Sequence, residues 1–271
     1  RKLLYRMKIL TWNLNSRTSD DVLNEQLSFI LAQDADVICL QEVVKNSCDS
    51  LQATLKHADY CVTNSFSLAP DLDVLTGKRK YGEIIATKKL HVPLPLIAEL
   101  PYPERVLSVQ VDDYLITATH VPPGSSNGLV KVEHLEILYA YLLKHKESNK
   151  ILCGDFNAPQ RFLPSEVLTW GQRERNNKVI MQLNPKWKDI CTPERWDQAE
   201  RQIFDKVEEL NLQLSCQDND EYSWSFNRQG TIIKRRYDHI FIPKNHKVAD
   251  CQYYHHLKKL SDHSPHTVVM E

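Results

Sequence analysis

Two short stretches carry side chains able to do chemistry: Gly154-Asp155-Phe156-Asn157 in mid-chain and Ser261-Asp262-His263 near the end. Each abuts an apolar run of β type, Ile151-Leu152-Cys153 before the first and Thr267-Val268-Val269-Met270 after the second. A strand end holds polar groups firmly at the rim of a core, where scaffolds commonly carry catalytic groups. Glu42 follows the run Val37-Ile38-Cys39-Leu40, and His120 closes Tyr114 to Thr119. Asn13, Asn15 and Asp238 flank further runs. If these strand ends share one cleft, they gather carboxylates, carboxamides and two histidines without a cysteine. That donor set suits a hard cation, Mg²⁺ or Mn²⁺, better than zinc. A hard cation beside a His–Asp pair points to hydrolysis of phosphate esters. The metal offsets charge at the phosphoryl group, and a carboxylate orients or deprotonates the attacking water.

The elements that must position these groups alternate along the chain. Lys8-Ile9-Leu10-Thr11-Trp12 reads as a strand, and Ser19 is placed to cap a helix in which Leu23, Leu27, Ile30 and Leu31 recur at helical spacing. Strands follow at 37–40, 84–86, 106–109 and 114–119. A long helix comes next, with Leu135, Leu138, Tyr139 and Leu142 on one face. After the strand before Asp155, a helical stretch is expected around Ile203, Val207 and Leu210, and the last strands at His239–Ile242 and Thr267–Met270. There are no repeats and no Gly/Ser linker, so residues 1–271 are expected to form one domain with strands from both halves in one core.

Composition bounds the partners. The 271 residues are 42% hydrophobic and 25% charged, an ordinary globular balance. With 34 basic and 35 acidic residues the net charge is −1, which argues against a protein held to nucleic acid by bulk charge alone. No apolar stretch approaches the ~20 residues that span a bilayer. Arg1 to Arg6 is too short and too charged for a secretory signal, although a chain opening without Met leaves a removed leader open. Seven scattered cysteines, none in a CxxC pair, favour a reducing, intracellular (cytoplasmic) setting without structural zinc.

Five motifs in order carry a resemblance: Thr11-Trp12-Asn13-Leu14-Asn15, Leu40-Gln41-Glu42-Val43, Gly154-Asp155-Phe156-Asn157, Tyr237-Asp238-His239-Ile240 and Ser261-Asp262-His263-Ser264-Pro265. The chain resembles the endonuclease/exonuclease/phosphatase superfamily over nearly its whole length. The resemblance implies an α/β four-layer sandwich, two mainly antiparallel sheets face to face with helices outside. It implies Glu42 as the principal metal ligand, assisted by Asn13, Asn15 and Asp262. Asp155 would orient or deprotonate the attacking water, and Asn157 would bond the phosphate or its nucleophile. His263, oriented by Asp238, would donate to the scissile phosphate or act as general base. His120 occupies a position where deoxyribonuclease-I-like members carry histidine and apurinic endonucleases more often tyrosine. Asn15 stands where repair enzymes commonly have aspartate.

Substrate is read from smaller signals. Basic runs lie at Lys78-Arg79-Lys80, 173–178 and Lys234-Arg235-Arg236, and Arg236 is expected near the cleft because it adjoins Asp238. In the loop from His120 to Gly128, glycines and hydroxyls would let backbone N–H groups approach a phosphate, with Asn127 and Lys131 contributing. Trp170, Trp187, Trp196 and Trp224 are read first as packing residues, with base stacking the less favoured use. The expectation is a Mg²⁺- or Mn²⁺-dependent phosphodiesterase acting on nucleic acid, DNA before RNA, as a monomer with no membrane and no protein partner. A small phosphorylated molecule or phospholipid headgroup is the alternative substrate, and an inactive binding module the second alternative.

Overall fold

The computed structural model describes residues 6–164, 166–176, 178–217 and 220–271. Most of the N-terminal run Arg1 to Arg6, and Asn177 within the basic run 173–178, lie outside the described residues. Eight strands come first along the chain: β1 Met7–Asn13, β2 Val37–Val44, β3 Cys61–Asn64, β4 Tyr81–Thr87, β5 Val92–Pro93, β6 Val106–Val111, β7 Tyr114–His120 and β8 Asn149–Asp155. Among the described residues the α-helices are α1 Asp20–Ala32, α2 Lys45–His57, the single turn α3 Gly124–Asn127, α4 Leu129–Lys144 and α5 Pro193–Asp205.

Two six-stranded sheets result. In the first, the order is strand Val248–Tyr253, strand His266–Met270, β1, β2, β4, β3. In the second, it is strand Leu212–Leu214, strand Asp238–Pro243, β8, β7, β6, β5. Each sheet has one parallel pair at its centre, β1 with β2 and β7 with β8, and is antiparallel elsewhere. Pairing of Met7 with Met270 and Thr11 with His266 seats strand His266–Met270 beside β1 in the interior of the first sheet.

The central strands are covered on both faces, so they read as unbroken apolar runs. Alternation sorts their side chains into layers. Ile9, Cys39 and Ile85 of the first sheet pack between the sheets against Val109, Ile116, Ile151 and Ile240 of the second. Leu10, Ile38 and Leu40 turn the other way, against Leu23, Leu27 and Ile30 of α1 and Leu51 and Leu55 of α2. On the outer face of the second sheet, Leu152 and Phe241 meet Leu135, Leu138 and Leu142 of α4 and Ile203 of α5. The four expected layers are present, each buried leucine contributing about 1.5–3 kcal/mol.

Helix ends follow local chemistry. Asp20 and Asp21 lie in the first turn of α1, favourable beside the positive end of its dipole, while Ser19 occupies the cap position without a side-chain hydrogen bond. The helix expected around Ile203 to Leu210 lies earlier, because Thr192 caps the Arg195 N–H and Pro193 opens the first turn. Val207 and Leu210 fall in the turns that follow it. Helix α2 and the exposed edge strand Val248–Tyr253 are additions to the elements read from sequence. All seven cysteines are free thiols, and no helix among the described residues is long and apolar enough to cross a membrane.

Candidate active site

Strand register sets the site. His120 at the end of β7 pairs with Asp155 at the end of β8, and Asp155 pairs in turn with Asp238 on the next strand. Three chemically able residues thus stand in one row across three neighbouring strands. The first sheet brings Asn13 and Glu42 to the same edge from β1 and β2.

Backbone irregularities aim these groups. Against β4, β2 changes register between Leu40 and Val43, and Glu42 within that bulge has φ +51°. A bulge bends a strand and redirects a side chain, which is how Glu42 leaves the pleat. Gly154 has φ +133°, and a Cβ there would sit 2.0 Å from the Thr119 carbonyl oxygen, so only glycine admits the close approach of β7 and β8. Asn157 also lies in the left-handed region, at φ +49°. Non-glycine residues held there cost about 1–3 kcal/mol and cluster at functional sites.

Around Asp155 the polar groups form one network. Asn13 Nδ2 donates to Asp155 Oδ2 at 2.9 Å and to Glu42 Oε1 at 3.2 Å, bridging two carboxylates. Ser16 Oγ donates to the other Glu42 oxygen at 2.9 Å. The Asn157 N–H donates to Asp155 Oδ1 at 2.8 Å, and its side-chain amide donates to the Val121 carbonyl at 2.9 Å. His263 Nδ1 lies 2.7 Å from Asp238 Oδ2, and its Nε2 lies 3.8 Å from Asp155 Oδ2. His120 Nε2 is 3.4 Å from Glu42 Oε1 and 3.9 Å from Asp155 Oδ2.

The loop bearing His263 is pinned from several directions. Ser261 Oγ donates to the Asn13 carbonyl and accepts from the His263 N–H, and Trp12 Nε1 donates to the His263 carbonyl. Ser223 Oγ accepts the N–H groups of Tyr237 and Asp238, while its carbonyl accepts from Ser264. Tyr253 OH donates to the Asp238 carbonyl. The acid and its histidine therefore sit on one connected frame.

Burial separates the protonation states. Burial alone would lower the His263 pKa, but Asp238 and then Asp155 override it and raise it to about 10. Burial raises Asp155 to about 7, His263 opposing and Asp238 adding to the rise. His120 is driven well below its usual value by burial, then by Arg105 and His263, and is neutral.

The residues proposed from sequence divide by position. Glu42, Asn13, Asp155, Asn157, Asp238, His120 and His263 converge. Asn15 is adjacent, its N–H donating to Asn13 Oδ1 in a left-handed turn. Asp262 is exposed and accepts from Trp224 Nε1 at 3.0 Å, and it belongs to neither cluster of potential ligands among the described residues. Asn127 lines a polar cleft of about 240 Å³ beside Glu42 and His120. Arg236, expected near the cleft, is 4% exposed, with its guanidinium 3.8 Å from the Phe162 ring centroid. Its neighbour Arg235 lies over the ring of Trp170. Lys131 is buried beneath the site, 2.5 Å from Glu200 Oε1 and 2.8 Å from the Asn157 carbonyl.

Several residues escaped sequence reading. Arg105 lines the polar cleft, 1% exposed, stacked over Tyr81 and Tyr102, with Nε and Nη1 lacking partners. Glu83 is fully buried, and burial raises its pKa well above the carboxylate range. Its only sequence signal is an acid opening the run Ile84-Ile85-Ala86. On the His263 side a second cavity of about 370 Å³ is walled by Trp170, Trp187, Trp196 and Trp224 with Tyr237. The loop glycines serve that wall: a Cβ on Gly124 would meet Trp196 at 2.5 Å, and one on Gly128 would meet Trp187 at 2.6 Å.

Among the described residues two groups of potential ligands emerge, Glu42–His120–Asp155 and Asp155–Asp238–His263. Both His120 ring nitrogens and Asp238 Oδ1 are buried without hydrogen-bond partners. Carboxylate oxygens beside an unpartnered imidazole could hold a divalent cation.

A model of the endonuclease/exonuclease/phosphatase family matches residues 10–263. An exodeoxyribonuclease of Bacillus subtilis (strain 168) is 27% identical over 161 residues, 56% of this chain, and the match spans 58% of that relative's length. Among solved structures, an AP endonuclease from Archaeoglobus fulgidus superposes with a TM-score of 0.68 at 20% identity, over 97% of this chain and 98% of that one. The 3'-5' exonuclease NExo from Neisseria meningitidis gives 0.65 at 21%, over 97% and 98%. D. rerio TDP2 complexed with single strand DNA product gives 0.62 at 12%, over 98% and 99%. These likenesses show the fold.

Proposed function

We propose that this phosphate-ester hydrolase, which belongs to the endonuclease/exonuclease/phosphatase family, is a divalent-metal-dependent phosphodiesterase that cuts a polynucleotide backbone, DNA before RNA. The observation that carries the reading is the Asp238–His263–Asp155 line, 2.7 Å and 3.8 Å between successive partners, standing beside Glu42. The relative named an exodeoxyribonuclease supports DNA. So do the solved neighbours whose structures contain DNA.

Each residue has a task in the proposed reaction. Asp155, buried and with a pKa near neutrality, orients the attacking water and takes its proton. The Asn157 N–H and side-chain amide hold Asp155 and the loop after it. His263, charged below about pH 10, donates from Nε2 to a phosphoryl oxygen, and Asp238 holds its charge and ring angle through Nδ1. Glu42 would hold the cation with Asp155, Asn13 and Asn15 at hand, and His120 would stand beside it as a neutral imidazole. When bound, that cation would offset negative charge on the phosphate and leaving group. Asp262, outside both ligand clusters, would act on Trp224 and on the field at His263. We further propose that residues 1–271 work as one catalytic domain.

The test is product release from single-stranded DNA, plasmid DNA, RNA and a soluble phosphate monoester, each with Mg²⁺, Mn²⁺ or chelator. Cutting of a polynucleotide that needs metal and vanishes in Asp155→Asn supports the reading. Turnover of the small ester alone would overturn it in favour of a phosphatase.

A further inference from the structure

The tryptophan-walled cavity is wider than phosphate hydrolysis requires. It shares His263 and Asn157 with the reacting centre, so whatever fills it lies beside the scissile phosphate. Its volume of about 370 Å³ is at the lower end of small-molecule sites, ~300–1,000 Å³, room for one planar group rather than a run of chain.

The walls are fixed in advance. Glu200 accepts from Trp196 Nε1 at 2.8 Å and from the Trp170 N–H at 2.9 Å, and its charge is matched by buried Lys131. Trp224 Nε1 is held by Asp262. Two indole N–H groups are therefore consumed within the protein. Cations back the other walls: Lys186 Nζ lies 4.3 Å from the Trp187 ring centroid, and Arg235 lies over Trp170. Gly124 and Gly128 let the loop after β7 press against Trp196 and Trp187. Arg173 and Asn184 add polar groups at the lining.

Flat aromatic faces stack any base without regard to its identity, and nearby cations favour an anionic strand. A purely aliphatic ligand would gain little from the convergent Arg173, Asn184 and Asn157. We propose, on the reading that this chain cleaves a polynucleotide, that the cavity receives one unstacked nucleobase of the nucleotide at the scissile bond. A base paired within a duplex must first be extruded, at an energetic cost, so the preferred substrate is single-stranded or frayed.

The test compares a short single-stranded deoxyoligonucleotide with the same strand carrying an abasic tetrahydrofuran residue, scanned along its length. Binding is read by tryptophan fluorescence in chelator, and cleavage after Mg²⁺ is added. The intact strand should quench fluorescence and bind about tenfold or more tightly than the strand abasic at the scissile nucleotide. Trp187→Ala should bring the intact strand down to the abasic strand's affinity, and Trp187→Phe should restore the difference. Equal binding of the two strands overturns the proposal, as does an equal loss for both in Trp187→Ala. Quenching by phosphotyrosine but not by thymidine monophosphate overturns it in favour of an amino-acid ligand. Failure to cleave either strand would instead overturn the nuclease reading, and the binding comparison keeps the two failures apart.

Discussion

His263 Nδ1 lies 2.7 Å from Asp238 Oδ2, across 25 residues of chain, with both groups held by Ser223 and Ser261 rather than by each other alone. Asp238 is wholly buried, so it orients the imidazole without competition from water. The pair is the part of the site most dependent on tertiary structure.

Replacing Asp238 with Asn keeps the volume but removes the charge that holds His263 protonated. The expected result is a loss of about 10²–10⁴ in kcat with KM little changed. Steady-state kinetics on a cleavable strand would show it, and circular dichroism would confirm that the fold persists. A loss confined to KM would contradict the assigned role.

Gly154→Ala places a methyl 2.0 Å from the Thr119 carbonyl oxygen, at φ +133°. The two strands must part, costing about 2 kcal/mol or more, and Asp155 moves with them. Gly230→Ala is the control: its left-handed backbone is similarly unsuited to alanine, but nothing lies within 4 Å, so the cost is ~1 kcal/mol. Urea denaturation of the two variants should separate them, and equal losses would refute the steric account.

The buried Lys131–Glu200 pair joins the floor of the aromatic cavity to Asn157. Lys131→Met alone strands a buried carboxylate and should cost about 3–5 kcal/mol. Adding Glu200→Gln should recover part of that loss, since the charge left behind is removed. A double variant no more stable than the single would contradict the assignment of the cost to an unpaired charge.

His134 and His239 are fully buried, and burial lowers the pKa of each to about 3. The unfolded chain takes up a proton at each below about pH 6.5, which the native state refuses. Their contribution is therefore complete above pH 6.5 and is lost as the pH falls towards 3. Between pH 6.5 and 5 the loss is about 2 kcal/mol for each histidine. Denaturation midpoints for the parent and for His134→Gln would test this, the variant showing a shallower acid slope. Identical slopes would contradict it.

Legibility in the sequence followed physical cause. Strands buried on both faces, such as Val37 to Leu40 and Ile151 to Cys153, announced themselves as unbroken apolar runs. Helix α2 carries a readable signal in Cys48, Leu51 and Leu55, whereas the edge strand Val248–Tyr253 is mostly exposed and sets only Val248, Cys251 and Tyr253 against the core. The row His120, Asp155, Asp238 could be expected from strand ends, but the bulge that turns Glu42 towards Asp155 could not. Arg235 and Arg236 are equivalent in sequence, yet one lies over Trp170 and the other is buried against Phe162. The tryptophans read as packing in the sequence because their cavity is assembled from segments far apart along the chain, which no local pattern reveals. Arg105 was silent for the same reason: only the fold brings it beside Glu42.

The most direct measurement is cleavage of a labelled single strand by the parent and Asp155→Asn, with Mg²⁺, Mn²⁺ and chelator in parallel. The account predicts products only from the parent with a divalent cation, and none from the variant under any condition. Undiminished cleavage by Asp155→Asn, or by the parent in chelator, would contradict it.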